Sequence, residues 1–236
     1  MADGKVTIAV DLDGKKAQGD INSLKSSLGG LGSAFKSVLG ANLVSGALMS
    51  GISALTGGVK SAFSSAIDEG AKLQQSIGGI ETLFKDSAGT VKQYANEAFR
   101  TAGVSANEYM ENVTSFSASL ISSLGGDTAK AAELANTAMT DMSDNANKMG
   151  SDMKLITQTY QSLARGNYAM LDNLKLGYGG TKAEMQRLIK DAASYKDVQE
   201  ELNMTVNEGD LSFANMVKAI SVVQKKLGIT GTTAKE

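Results

Sequence analysis

The stretch that decides the fold is SANEYMENVTSFSASLISSLGGDTAKAAELANTAMTDM, residues 105–142. Apolar residues recur in it at every third or fourth position, which predicts two amphipathic helices. Ser105 followed by Glu108 has the spacing of a capping box at a helix start. Gly125-Gly126 is suited to end the first helix, and Asp127 to cap the second. The stretch therefore predicts two consecutive helices with a suitable residue type at each junction.

The same pattern of helices and junctions continues towards the carboxyl end. We predict a helix over about 152–166, one that opens with the capping box of Thr181 and Glu184, and a final one over about 212–228. Residues 198–202 either extend the second of these helices or form a short separate one. Gly, Asp and Asn mark the junctions, as expected for an array of short helices.

The first part of the chain differs in composition. Apolar residues alternate with other residues and predict a short strand within residues 1–13, with Val6, Ile8, Val10 and Leu12 on one face. We predict a helical segment rich in Gly, Ala and Ser over residues 14–67 and the array of short helices over residues 68–236. The predicted fold class is therefore all-α, mainly helical, with one N-terminal strand.

The second segment contains an uncharged run over residues 37–59, which is long enough to span a bilayer as a helix. Small residues recur in it at every fourth position, at Gly46, Ser50, Ala54 and Gly58. On a helix this spacing forms one face, which lets a second helix approach closely. Two interpretations stay open: a membrane-competent helix with an association face, and a buried helix in a soluble or oligomeric assembly.

The composition excludes several classes of site. The 236 residues include no His, Cys, Pro or Trp, which rules out imidazole and thiolate chemistry, disulfides and the ordinary zinc, haem and iron–sulfur sites. The formal net charge is −2, whereas a nucleic-acid-binding domain normally carries a basic excess. The sequence contains no credible catalytic constellation, so we expect neither an enzyme nor a bound cofactor or metal ion.

Two polar motifs have both a functional and a structural interpretation. The run Gly177-Tyr178-Gly179-Gly180 can be compared with a dinucleotide-binding turn, but the third glycine of that motif would fall at Lys182, so a tight loop is favoured. A second motif could ligate a hard cation, although capping at a helix junction is favoured; it consists of Asp141, Asp144, Asn145 and Asn147.

Methionines cluster in the middle of the chain. Such a cluster is typical of adaptable core packing, and a helical surface that docks on partners is the alternative. The residues concerned are Met139, Met142, Met149, Met153, Met170 and Met185.

Three strings of sequence are distinctive: TDMSDNANKMG at 140–150, NYAMLDNLKLGYGGT at 167–181 and LGITGTTAKE at 227–236. Together they resemble the tail tape measure proteins of long-tailed bacteriophages and prophages. The resemblance spans roughly residues 105–236, and the earlier strand and apolar segment is similar to the start of such proteins. It singles out one loop without assigning a catalytic role, formed by Asp172, Asn173, Leu174, Lys175, Gly177, Gly179 and Gly180.

The resemblance implies a structural protein that sets the length of the tail tube during assembly and aids genome delivery on infection. It implies a helical, coiled-coil-forming chain in several copies within the tail lumen of the virion, made in the host cytoplasm. Tail tube proteins, tail tip proteins and assembly chaperones are the implied partners, with contact to a host membrane but no sequence-specific nucleic-acid binding.

The end of the sequence supports the same expectation. Residues 232–236 have the composition of a helix start, and even a fully helical chain of this size would span only about 350 Å. We therefore expect a longer natural chain, with this portion partly globular and an extended rod beyond it. The competing hypothesis is a membrane-active helical protein that forms a conduit or pore through residues 37–59.

Overall fold

A computed structural model gives the fold of the chain. The structure describes the backbone of residues 57–231 and the side chains of residues 70–231. The chain divides into two compact units, Met1–Ser64 and Ser65–Glu236, and all described side chains belong to the second. Its described residues are helical and contain no strand, which confirms the all-α fold class. The predicted strand within 1–13 lies outside the described residues.

Loops and two 3-10 turns join the α-helices of the described part, and the longest connection covers residues 165–181. The turns are Lys85–Ser87 and Leu171–Leu174. In chain order the helices are α1 (Gly57–Phe84), α2 (Ala88–Ala102), α3 (Ala106–Ser123), α4 (Thr128–Met149), α5 (Met153–Ala164), α6 (Lys182–Ser194), α7 (Lys196–Glu201) and α8 (Phe213–Lys226). Residues 198–202 thus belong to a separate short helix and its end, one of the two predicted outcomes.

The predicted helix starts are confirmed by side-chain caps. The Ser105 hydroxyl accepts a hydrogen bond from the Glu108 N–H at 3.2 Å, and the Asp127 carboxylate accepts one from the Lys130 N–H at 3.0 Å. Asp152, Thr181 and Ser212 cap α5, α6 and α8 in the same way. Each cap satisfies a backbone donor that the first helical turn leaves without a partner.

Helix α1 crosses the predicted segment boundary at residues 67 and 68. The adjacent glycines Gly78 and Gly79 have low helix propensity, but they do not interrupt it. This helix packs into the core at Ile80 and Phe84, both fully buried, while Leu73 is 40% exposed. The carboxyl-terminal part of α1 is therefore anchored in the compact unit.

Helix α8 lies at the centre of the core. It packs against α3, α4, α5, α6 and α7, and of its residues 213–224 all but Lys218 are buried. The Phe213 ring meets the Phe116 ring of α3 edge-on, with centroids 6.0 Å apart. Helices α2 and α4 contribute many buried alanines, whose small side chains let α2, α3 and α4 approach one another closely.

No helix in the described part of the chain has the length and apolar character needed to cross a membrane. The uncharged run 37–59 lies outside that part, apart from residues 57–59 at the start of α1. Of the predicted association face, Gly46, Ser50 and Ala54 also lie outside it, and Gly58 belongs to the first turn of α1. The membrane-competent helix and the association face stay predictions.

Candidate functional site

The polar motif at residues 141–147 occupies a position different from the one predicted. Capping at a helix junction is wrong, because α4 continues without a break to Met149. Asp141, Asp144 and Asn145 lie inside this helix and are only 2%, 1% and 1% exposed, whereas Asn147 is exposed. The side chains of the first three residues lie in the interior of the protein, where they interact with residues of other segments.

Asn145 joins α4 to two other parts of the chain. Its Nδ2 donates a hydrogen bond to the Leu174 carbonyl at 2.9 Å and another to Gln224 Oε1 at 2.8 Å. The Gln224 Nε2 in turn donates to the Asp141 carbonyl at 3.3 Å. All of these atoms are buried, where a lost hydrogen bond leaves an unsatisfied polar group. Asn145 therefore fixes the register of α4 against the 3-10 turn and α8.

Asp144 holds the segment that follows α8. Its Oδ2 accepts a hydrogen bond from the Gly231 N–H at 2.7 Å, across 87 positions of sequence. Ile229, two residues earlier, is buried in the core. Together with the Asn145 bonds, this contact links described residues of all three distinctive strings to one buried polar cluster. The cluster consists of Asp141, Asp144, Asn145, Tyr160, Ser221 and Gln224.

Asp141 is a fully buried ionisable group of the cluster. Its carboxylate is hydrogen-bonded to Ser221 of α8, but its Oδ2 has no hydrogen-bond partner among the described residues. Burial raises the pKa of Asp141 to about 7; the Ser221 hydrogen bond lowers this pKa and the neighbouring Asp144 raises it. Burial also raises the pKa of Tyr160, with a further contribution from Asp141. A neutral Asp141 is thus favoured at mildly acid pH.

The loop singled out by the resemblance is tied to the same region. Asn173 Nδ2 donates to the Thr159 hydroxyl of α5 at 3.3 Å, and Leu174 is buried. Lys175 takes a left-handed conformation with φ 55°, and its Nζ donates to the Met149 carbonyl at 2.9 Å. A cation at this point complements the carboxyl end of α4. Asp172 is exposed.

Two side chains of α6 form hydrogen bonds with the backbone of the glycine-rich half of the loop. Arg187 donates to the Gly177 carbonyl at 2.7 Å, and its guanidinium lies 4.3 Å from the centroid of the Tyr178 ring. Glu184 Oε2 accepts from the Gly179 N–H at 3.0 Å. The Arg187 hydrogen bond, followed by the Gly179 bond, lowers the pKa of Glu184 to about 2. Glu184 therefore has two roles: its side chain binds the loop, and its N–H donates to the capping hydroxyl of Thr181.

Two glycines of this loop meet distinct requirements. Gly177 has φ 85°, which disfavours any residue with a side chain. A Cβ on Gly180 would lie 2.4 Å from the Ala169 carbonyl oxygen. The backbone at residue 180 can therefore lie this close to Ala169 only because residue 180 is a glycine. The predicted tight loop is confirmed.

The methionine cluster contributes to core packing. Met139, Met142 and Met185 are fully buried. Met149 and Met153 are partly buried and pack against the core. A docking role for the remaining exposed surface of these methionines stays a prediction.

An open groove of about 480 Å³ lies elsewhere, between α1 and the start of α3. Its walls are polar and include Lys72, Ser76, Asn107 and Glu108, and none of the cluster residues lines it. Among the residues with described side chains there is no group of three or more carboxylates, cysteines or histidines suited to a metal ion.

Comparisons with protein-family models, with curated proteins and with solved structures found no match to this chain. Sequence reasoning found the three strings and the loop, but missed Tyr160, Ser221 and Gln224 as members of the cluster. No local signal marks these three residues, because each has the ordinary spacing of a helix interior.

Proposed function

We propose that this chain is a structural protein of a bacteriophage tail, part of a tape measure protein that sets tube length during assembly and aids genome delivery. On this proposal it resides in the tail lumen of the virion and in the host cytoplasm before assembly. Its partners are further copies of itself, tail tube and tail tip proteins, and assembly chaperones. It acts by binding and spacing, without an enzymatic reaction.

The observation that carries the proposal is the meeting of the three distinctive strings in one buried cluster. Asn145, Leu174 and Gly231 come from different strings and are linked through hydrogen bonds to α4. Residues that act on a small substrate usually line a concave pocket. Here the distinctive residues stabilise a folded unit, which favours a structural role for them.

The compact unit itself is too short and too folded to act as a ruler. A helix rises 1.5 Å per residue, and only helices laid end to end convert residue count into length. In Ser65–Glu236, helices α3 to α7 instead pack against α8, and α2 packs against α3 and α4. We therefore assign this unit the role of an assembly or docking head in the ruler.

Gene disruption and complementation test this proposal. A phage in which the gene for this chain is disrupted should yield no tails of normal length, and the intact gene supplied in trans should restore them. Asn145→Ala, which breaks the cluster, should restore few tails. Asn96→Ala, on the exposed face of α2, is the matched control and should restore them fully.

Virions with normal tails that lack the chain, as judged by mass spectrometry, would contradict the proposal. Full complementation by a chain that lacks residues 105–231 would also contradict it, because the residues that carry the resemblance would then be dispensable.

A further inference from the structure

We propose that the buried cluster around Asp141 makes the stability of this fold depend on a proton bound to Asp141. With a proton on Asp141, α4, α5 and α8 pack stably around the cluster; when the proton leaves, the buried negative charge weakens their packing. The proposal concerns the folded chain alone and stands or falls independently of a role in phage tails.

The position of Asp141 provides the first argument. Its side chain is enclosed by the core, and none of the ion pairs formed by the described residues includes it. Its Oδ2 is buried without a hydrogen-bond partner among those residues. An ionised carboxylate in such a place loses its hydration and gains no compensating charge, whereas a neutral carboxyl group avoids most of that cost.

The groups around Asp141 provide the second argument. On α4 itself, Asp144 lies one turn further along and adds a second carboxylate. From α5 comes the Tyr160 hydroxyl, buried and without a hydrogen-bond partner in the described part of the chain. From α8 come Ser221 and Gln224, which are uncharged. Helices α2 and α3, within the described residues, contribute no charge that acts on Asp141. Nothing positive faces the carboxylate from these elements.

A second buried acceptor without a partner among the described residues lies on the same helix as Asp141. Asn145 Oδ1, one turn along the same helix face, is also buried without a partner in the described structure. Asp141 Oδ2 and Asn145 Oδ1 are both acceptors when Asp141 is ionised. A proton on Asp141 turns one of them into a donor, which lowers the number of unsatisfied acceptors in the cluster.

The direction of the pH effect follows from the pKa. Burial raises the pKa of Asp141 to about 7, and the carboxyl group of an unfolded chain titrates near pH 4. The folded chain therefore holds the proton more tightly than the unfolded chain. Stability from this group is fully present below about pH 4, falls as the pH rises towards 7, and stays low above that.

The composition makes this effect measurable. The chain has no His and no Cys, whose ordinary pKa values would otherwise place them in or near the same range. The pKa values of Glu184, Asp127 and Asp197 are lowered, so these carboxylates stay ionised from pH 5 upwards. The part of a stability change between pH 5 and 7 that Asp141→Asn removes therefore reports Asp141.

The experiment is denaturant unfolding of the 236-residue chain between pH 5 and 7.5. For the native chain, the unfolding equilibrium constant should rise with pH by up to about tenfold per unit, the limit for one proton. Asp141→Asn should flatten this dependence and unfold less readily than the native chain at pH 7.5. Asp86→Asn, at an exposed position in the turn after α1, is the matched control and should keep the native slope.

Carboxyl ¹³C NMR of the native chain is a second measurement, and it requires no substituted chain. The Asp141 carboxyl carbon should titrate near pH 7. Titration of that carbon near pH 4, or equal slopes for the native chain and Asp141→Asn, would overturn the proposal.

Discussion

Asn145 is the residue whose contacts best explain why the distinctive strings stay together. Its side-chain amide donates to both the Leu174 carbonyl and Gln224 Oε1, which lie on separate elements. Neither acceptor is accessible to water, so no solvent molecule replaces the amide when it is removed. The stability of the whole cluster is therefore sensitive to this one side chain.

We expect Asn145→Ala to lower the free energy of unfolding by about 2–4 kcal/mol, because two buried acceptors lose their donor. Asn96→Ala, at an exposed position on α2, should change it by less than about 0.5 kcal/mol. Denaturant unfolding at a fixed pH measures both. Equal effects of the two substitutions would show that the cluster bonds do not stabilise the fold.

Gly180 allows a second test at the residue scale, in the loop of the middle string. A Cβ at this position would lie 2.4 Å from the Ala169 carbonyl oxygen, a backbone atom that cannot move alone. Gly180→Ala should therefore cost about 2–4 kcal/mol of stability. At the neighbouring Gly179 a Cβ would lie 3.5 Å from Glu184 Cγ, an ordinary contact.

Gly179→Ala is thus the matched control, and we expect it to change the unfolding free energy by less than about 1 kcal/mol. Thermal unfolding followed by circular dichroism distinguishes the two variants. A Gly180→Ala chain that melts at the native temperature would show that the loop can open at this point without cost.

At the element scale, the contact between α1 and α3 depends on another pair of adjacent glycines. A Cβ on Gly79 would lie 3.2 Å from Thr114 Cγ2 of α3, whereas a Cβ on Gly78 would meet nothing within 4 Å. The two helices are therefore close enough at Gly79 to exclude a larger side chain. One turn earlier, Ser76 donates to Asn107 Oδ1 at 2.7 Å across the same pair of elements.

Gly79→Leu should push α1 away from α3 and destabilise the unit by about 1–3 kcal/mol. Gly78→Leu should stabilise it by about 0.5–1 kcal/mol, because a residue with high helix propensity replaces glycine at an exposed position. The two variants have the same composition, so a difference in their melting temperatures isolates the packing of α1. Identical melting temperatures would contradict a close contact.

Features of this fold could be predicted from sequence where the interacting residues lie close together along the chain. The caps at Ser105, Asp127 and Thr181 were predictable because the donor lies three residues along the chain. The interior position of Asp144 and Asn145 was not, because their partners Gly231 and Gln224 lie 87 and 79 positions away. Asp and Asn favour helix junctions when only local partners are considered. Here the hydrogen bonds to Gly231 and Gln224 favour the interior of α4 for Asp144 and Asn145.

At the scale of the whole molecule, the compact unit Ser65–Glu236 depends on packing between helices, with α8 in contact with α3 to α7. The resemblance to tape measure proteins predicted a helical chain, and the fold class is helical. The candidate site was predicted only in part: the three strings were identified from sequence, but their meeting point was not.

The most direct test of the proposed function is the length of tails measured by electron microscopy. We expect an insertion of about 30 helix-forming residues in the natural gene, outside the compact unit, to lengthen the tail by about 45 Å, at 1.5 Å per residue. Asn96→Ala in the same gene should leave the length unchanged. Tails of the original length in the insertion strain would contradict the account.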